Sequence, residues 1–428
     1  MTGVRRVLFV NRYYEPDESA TSQLLTDLAR AVAAAGHEVH VVCSRQLYGD
    51  AHARLPAQEF LGGVRVHRIA TTRFGRQRLA GRMVDYASFY LASAWMLFRL
   101  LRRDDVLVIE TDPPLMAVIG APLARLRGAE LINWHQDVFP EVAAQVGAGS
   151  LPTWLDRGLR GLRDRSLRAA RMNVVIGERM RDYFRARGVA ADRLCVIHNW
   201  AATGSIRSKP PEASRLRQQL GLQNKFVVCY SGNLGRAHEF ATLLDAAKLL
   251  GEDDGMTFLM IGGGAKMGAL ERATQECGLR NFIFLPYQPR DTLEDSLAAA
   301  DVHLLSLLPA LEGLIVPSKL YGILAAGRPF VCIGDLDGEV RRFTAAADCG
   351  RFVGVGAALA LRDVLLDLRA QPQRRAAMGA RGQELLLAGY TADRALDRWL
   401  MLIAGSADIH RNLVPATDTP AQERPPPC

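Results

Sequence analysis

Apolar residues in this chain fall in short unbroken runs, and the stretches between the runs carry an apolar residue every third or fourth position. Residues 6–11 (Arg-Val-Leu-Phe-Val-Asn) form the first run, and its continuity predicts a parallel strand buried on both faces. After a loop over residues 12–18, residues 19–35 place Leu24, Leu25, Leu28 and Val32 on one helical face, with Gly36 as a stop. Strands are predicted next at 37–43, 64–69, 106–110, 130–134, 172–176 and 192–199, with helical segments between them. Residues 201–224 are polar and contain Lys209-Pro210-Pro211, which marks a linker. The rhythm then restarts, with strands at 226–230, 257–261, 283–285, 302–307 and 329–333, a helix at 239–250 and another beginning near Ser318. The expectation is an α/β protein of two Rossmann-like, doubly wound parallel-sheet domains, 1–203 and 204–390, facing a cleft. A helix over 391–405 is expected to pack back on the first domain, followed by a polar, Pro-rich, disordered tail over 406–428.

A length of 428 residues exceeds one ordinary core and fits two domains. The chain is 49% hydrophobic and 23% charged, ordinary values for a soluble protein. No run reaches the roughly 18 to 20 apolar residues a spanning helix needs. The N-terminus runs straight into a strand without a signal peptide, and seven Cys are scattered without metal spacing. These features predict a cytoplasmic protein. The net charge of +8 comes largely from Arg and admits nucleic acid, anionic lipid or an anionic substrate as partner. No nucleic-acid recognition module accompanies it, so nucleic acid is not expected. Residues 84–101 carry Tyr86, Phe89, Tyr90, Leu91, Trp95, Met96, Leu97 and Phe98, with Arg99, Arg102 and Arg103 at the end. Arg73, Arg76, Arg78, Arg82 and the Arg-rich stretch from Arg157 to Arg171 lie near in sequence. That composition suits a helix lying on anionic lipid at the inner face of a membrane, and equally a buried helix with a solvated basic end.

Chemistry concentrates at strand ends. Tyr230-Ser231-Gly232-Asn233-Leu234-Gly235-Arg236 follows one predicted strand and Ile261-Gly262-Gly263-Gly264-Ala265-Lys266 another. Glycines there let backbone N–H groups approach a ligand, and Arg236 and Lys266 supply positive charge. A third loop, Glu312-Gly313-Leu314-Ile315-Val316-Pro317-Ser318-Lys319, leads into a helix whose first turn attracts an anion. Three such loops on one sheet read as a nucleotide-diphosphate site. In the first half, Asn133-Trp134-His135-Gln136-Asp137 ends a strand, with Glu141 one turn on. A neutral His135 there can donate to a substrate hydroxyl, or can be a hydrogen-bonded structural residue. Glu15, Asp17 and Glu18 precede Ser19, Thr21 and Ser22, of which Ser19 or Thr21 is expected to cap the first helix.

Together these segments resemble the retaining GT-B glycosyltransferases of family 4, in particular the bacterial members that build cell-surface polysaccharides. The resemblance spans the chain to about Ala404 and rests on Pro16-Asp17-Glu18-Ser19-Ala20-Thr21-Ser22, Gly36-His37-Glu38-Val39, Gln136-Asp137-Val138-Phe139-Pro140-Glu141, Ser231-Gly232-Asn233-Leu234-Gly235 and Val316-Pro317-Ser318-Lys319-Leu320. It implies a C-terminal domain that holds a nucleotide sugar, UDP-linked, with no metal or other cofactor. The N-terminal domain would hold the acceptor, a lipid-linked glycan, with Glu18, Ser19, Thr21 and Ser22 on that side. Glu312 is similar to the acidic residue that contacts the donor sugar. Gly313, Leu314, Ile315 and Val316 would face the diphosphate with Gly232, Asn233, Arg236, Gly263, Lys266, Ser318 and Lys319, and Tyr287 and Gln288 would read the base. His135, or Asp137 in its place, resembles the catalytic residue near the sugar.

Gly322 stands where the family carries a ribose-binding Glu, Asn233 replaces its phosphate-binding Arg, and His238 its Lys. The N-terminal loop lacks the usual paired glycines. A nucleotide-sugar epimerase on the same fold, or a donor-binding protein without turnover, also fits these residues.

Overall fold

The computed structural model describes residues 3–50, 52–74, 79–147, 152–201, 206–251, 253 and 255–405. The tail expected at 406–428, Arg76 and Arg78 of the basic segment, and residues 202–205 of the linker lie outside the described residues.

Two sheets organise the chain. The first contains β1 (Arg6–Val10), β2 (Glu38–Ser44), β3 (Gln58–Leu61), β4 (Val64–Ile69), β5 (Val106–Glu110), β6 (Glu130–His135), β7 (Met172–Val175) and β8 (Leu194–Val196), in the order β3-β4-β2-β1-β5-β6-β7-β8. The second contains β9 (Phe226–Asn233), β10 (Met256–Gly263), β11 (Phe282–Leu285), β12 (Val302–Ser306), β13 (Phe330–Gly334) and β14 (Gly350–Gly354), in the order β11-β10-β9-β12-β13-β14. Every pairing is parallel except that of β3 with β4. Two doubly wound α/β sheets are therefore the architecture, as the unbroken apolar runs predicted.

The strands not anticipated were β3 and β14. β3 is a four-residue antiparallel edge strand whose Phe60 faces solvent, so it never formed an apolar run. β14 begins and ends in glycine, a residue depleted in strands, and owes its form to pairing with β13. The strand expected over 192–199 is shorter, a 3-10 turn at Ala191–Arg193 leading into β8.

Helices cover both faces of the first sheet. On one side lie α1 (Ala20–Ala34) and, from the far end of the chain, Ala392–Ala404. On the other lie α2 (Leu79–Leu100), α3 (Met116–Arg127) and α4 (Thr153–Ala169), while α5 (Glu178–Ala186) follows β7. Helices α6 (Lys319–Ala325) and α7 (Glu339–Thr344) belong to the second sheet, and the helix Ala392–Ala404 is α8. Trp399, Leu402 and Ile403 of α8 share a core with Val7, Val32 and Trp134, and the Trp399 ring meets Trp134 edge-on at 4.9 Å. Burying a side chain of that size contributes about 1.5–3 kcal/mol, enough to hold the C-terminal helix on the N-terminal domain.

The domains interlock through a shared apolar cluster. Leu307, Leu311 and Leu314 from the second sheet's loops pack with Val138, Val142, Ile176 and Phe184 of the first domain. Residues 312–316 therefore enter the first domain's surface instead of standing free.

Candidate functional site in the interdomain cleft

In the second sheet the strand order reverses between β9 and β12, so the loops leaving these two strands diverge and open a crevice. Lys319 arrives from the β12 side and Tyr230, Gly232 and Asn233 from the β9 side. The Lys319 ammonium bonds the Tyr230 hydroxyl and, at 3.1 Å, the Asn233 carbonyl, and sits 3.6 Å from the centre of the Tyr230 ring. The Tyr230 hydroxyl donates to the same carbonyl at 2.8 Å. Burial lowers the Lys319 pKa from 10.5 to about 7, because no carboxylate compensates its desolvation. An anion entering this crevice would supply the missing partner.

The glycines let two loops touch backbone to backbone. Gly262 pairs with Gly232, both at positive φ (122° and 121°), and a Cβ on Gly262 would lie 2.3 Å from the Gly232 carbonyl oxygen. Tyr287 lies over Gly263 with its ring largely exposed, and Gln288 bonds back to the Pro286 carbonyl at 3.0 Å.

The other sequence candidates divide. Arg236 is exposed at the same loop. Lys266 is turned to the His238 carbonyl. His238 accepts the Gly235 N–H at 3.1 Å, and burial together with Lys319 lowers its pKa to about 4, so it shapes the turn as a neutral ring and adds no charge. Ser318 occupies the N-cap position of α6 but bonds no amide there. The amides of Leu314 and Ile315 both donate to Leu311 O, and the Leu314 carbonyl accepts the Val138 N–H at 2.9 Å across the cleft. Leu314 and Ile315 thus serve closure of the two domains in this arrangement, and their amides are not available to a diphosphate. Gly313, at φ 75°, passes against the Arg179 carbonyl, and Val316 packs at the edge of the shared cluster.

Glu312 is half-buried and accepts the Glu339 N–H at 2.9 Å. Burial, followed by the neighbouring carboxylates of Asp335 and Glu339, raises its pKa against the pull of that amide and Arg179. Glu339, which no sequence motif marked, in turn accepts the Glu178 and Arg179 amides at the start of α5, each at 2.8 Å. Gly177 permits this approach, since a Cβ there would lie 2.7 Å from the Glu339 carboxyl carbon. The Arg179 side chain adds Asp337 at 2.9 Å and Asp335 at 3.8 Å. A relay of carboxylates therefore joins Glu312 to the opposite domain.

On the N-terminal wall, Asp17 organises the loop before α1. It receives the Ser19 N–H at 2.9 Å, the Ser19 hydroxyl and the Tyr48 N–H. Ser19 stands at the N-cap but makes no side-chain cap bond, a correction to the expected capping, because Asp17 takes its hydroxyl. Thr21 lies inside the first turn of α1. Ser22 is buried and donates to the Asp17 carbonyl at 3.0 Å, so it shapes the loop, whereas Glu18 is exposed. His135 is buried against Phe184, ring centres 4.8 Å apart, and burial and then Arg163 lower its pKa to about 3. Its Nε2 has no hydrogen-bond partner among the described residues, and the residue lines, with Glu110 and Asp137, a cavity of about 20 Å³, room for one water. Asp137 is raised to about 6 by burial and then by Asp112, and Glu110 is pushed well above the carboxylate range by burial, Asp112 and Asp137. Glu110 and Asp112 were not singled out by sequence, since an acidic strand end carries no signature of its neighbours.

Two Rossmann-like domains with a cation-lined crevice at one sheet's switch point define a GT-B protein. Residues 20–200 match the Glycosyl transferase 4-like domain and residues 212–385 the Glycosyl transferases group 1 domain. The chain belongs to the family 4 glycosyltransferases of GT-B fold. It is 28% identical over 334 residues to WcaI of Escherichia coli (strain K12), named for glycosyl transfer in colanic acid biosynthesis, covering 75% of this chain and 81% of WcaI. WbjE of Pseudomonas aeruginosa, named as a glycosyltransferase, is 30% identical over 274 residues, 63% of this chain and 67% of WbjE. The solved structure of HepE from Anabaena in complex with UDP and glucose superposes with a TM-score of 0.70 at 16% identity, covering 94% of this chain and 100% of HepE.

Proposed function

We propose that this glycosyltransferase moves a sugar from a UDP-linked donor to a hydroxyl of a lipid-linked glycan during cell-surface polysaccharide synthesis, with retention at the anomeric carbon. The observation that carries the reading is the under-compensated Lys319, held at the switch point by Tyr230 and the Asn233 carbonyl. A diphosphate placed there gains a hydrogen-bonded cation, and the charge that develops on the leaving group is stabilised without reorganisation. Arg236 at the rim adds a second cation, so fixed charges serve the role a metal ion would otherwise fill. The bond from the anomeric carbon to the diphosphate oxygen breaks and a bond to the acceptor oxygen forms on the same face, with the acceptor proton passing to the departing diphosphate. Asp137, ionised above about pH 6, holds the acceptor hydroxyl by accepting its hydrogen bond. The UDP bound in HepE and the name of WcaI support the donor and the pathway class respectively.

The test is to incubate the purified chain with a panel of nucleotide sugars, with and without a bacterial lipid extract. UDP released only with lipid, and sugar recovered on lipid with retained configuration, is the expected result. Sugar isomerised without acceptor would replace transfer by epimerisation, and donor binding with neither outcome would leave a binding protein.

A further inference from the structure

The outward stripe of α2 is apolar where a surface helix is ordinarily polar. Its inner positions Asp85, Phe89, Ser93 and Leu97 are buried, as one sequence reading required. Its outer positions Val84, Ala87, Leu91, Trp95 and Phe98 are exposed, Leu91 at 75% and Trp95 at 63%. Trp95 and Phe98 stack at 6.3 Å, and the Arg127 guanidinium of α3 lies 4.2 Å from the Phe98 ring. α2 packs on α3 and α3 on α4, and these neighbours extend the patch with exposed Leu126, Trp154 (73%) and Leu162. Interleaved with them are exposed Arg99, Arg125, Arg157, Arg165 and Arg168. Among the described residues of these three helices no exposed position holds a carboxylate. Asp85 is buried, and Asp156 and Asp164 are paired with Arg160 and Arg163 at 2.7 Å each.

We infer that the α2-α3-α4 face docks the enzyme on an anionic lipid bilayer, its long helix lying in the plane of the membrane. Indole and phenyl rings favour the headgroup boundary, where an apolar body and a polar rim are both satisfied, and the arginines meet lipid phosphates. Charge complementarity selects this occupant, because the described exposed positions of these three helices carry five arginines and no carboxylate for a protein partner of mixed charge. No described helix is long and apolar enough to cross a membrane, so the contact is peripheral. The start of the helix also touches the segment that follows β1. Tyr86 near its start lies 5.0 Å from the guanidinium of Arg12, the second residue beyond β1, and Tyr90 bonds the Pro114 carbonyl.

Trp95 and Trp154 are exposed, whereas Trp134, Trp200 and Trp399 are buried. Quenching of tryptophan emission by brominated lipid chains therefore reads this face. The full chain should float with phosphatidylglycerol/phosphatidylcholine vesicles, with quenched and blue-shifted emission, and not with phosphatidylcholine alone. The double substitution Trp95→Ser and Trp154→Ser should weaken vesicle partition by about tenfold or more, and Arg99→Gln with Arg165→Gln by about fivefold per charge. Affinity for UDP-glucose and thermal unfolding should stay unchanged in both. Absence of flotation, equal binding to neutral vesicles, or unchanged binding by the Trp variant would overturn the inference. So would a wild-type dimer in solution that the Trp variant dissociates, since a second copy would then cover the face. Failure of the donor assignment would appear separately, as absent UDP-glucose affinity in the wild type.

Discussion

Replacing Lys319 by Met keeps the stem of the side chain against the Tyr230 ring and removes the ammonium. A hydrogen bond to a charged group contributes about 1.5–3 kcal/mol, so UDP-glucose should bind about 10- to 150-fold more weakly. The low pKa adds a signature that a merely structural lysine would not show. In the free protein burial holds the ammonium at about 7, against 10.5 for an ordinary lysine, so near neutral pH about half the molecules are already charged. A diphosphate requires the charged form. Affinity should thus be full below pH 7 and fall by up to about tenfold per pH unit above it, since each unit corresponds to about 1.4 kcal/mol. By about pH 9 the wild type should approach the variant, whose own affinity should be flat. Isothermal titration with UDP-glucose suits the measurement, because its diphosphate diester stays fully ionised and its uracil N3–H largely un-ionised through this range. Stability runs the opposite way: the unfolded chain holds this proton up to about 10.5, so its contribution to stability of the free protein grows as pH rises from about 7. Equal donor affinity in Lys319→Met, or a wild-type affinity that is level from about pH 6 to about 9, would refute the reasoning.

Glu339→Ala removes the acceptor of two amides across the cleft and should cost about 2 kcal/mol or more in denaturant unfolding, with an increased radius of gyration in solution scattering as the domains part. Asp137→Asn should lower transfer by about tenfold or more while leaving UDP-glucose affinity intact, and wild-type turnover should rise as pH increases through about 6, where this carboxyl ionises. Gly262→Ala places a Cβ 2.3 Å from the Gly232 carbonyl oxygen. It should destabilise by about 2 kcal/mol or more and weaken donor binding, measured by urea unfolding and titration together.

Much of the fold was legible because burial on both faces leaves a local record. The runs Val-Leu-Phe-Val in β1 and Val-Leu-Val-Ile in β5 have no solvent face to accommodate, so composition alone marks them. β3 and β14 left no such record, since one is an exposed edge and the other depends on its neighbour's hydrogen bonds. Among site residues, Gly232 and Gly262 were readable because positive φ and backbone contact demand glycine. Lys319 was readable through its place at a helix start. That Tyr230 would hold it, that Lys266 would turn to a carbonyl, and that Ser22 would face inward were not, since each depends on groups brought in by other strands.

The same division separates what the chain's order of residues determined from what folding added. Two α/β domains, a Gly-rich crevice at strand ends and a basic, aromatic helix are written in patterns of a few residues, because strands, turns and amphipathic faces answer to local sterics and to water. The relay from Glu312 through Glu339 to α5 joins residues 161 positions apart, and no spacing rule connects them. The depressed Lys319 and raised Asp137 likewise come from desolvation by the assembled cleft, a property that no isolated segment has. Which face of α2 would be buried was undecided in sequence for the same reason. Only packing determined which of its two apolar stripes the core would take and which would be left outside.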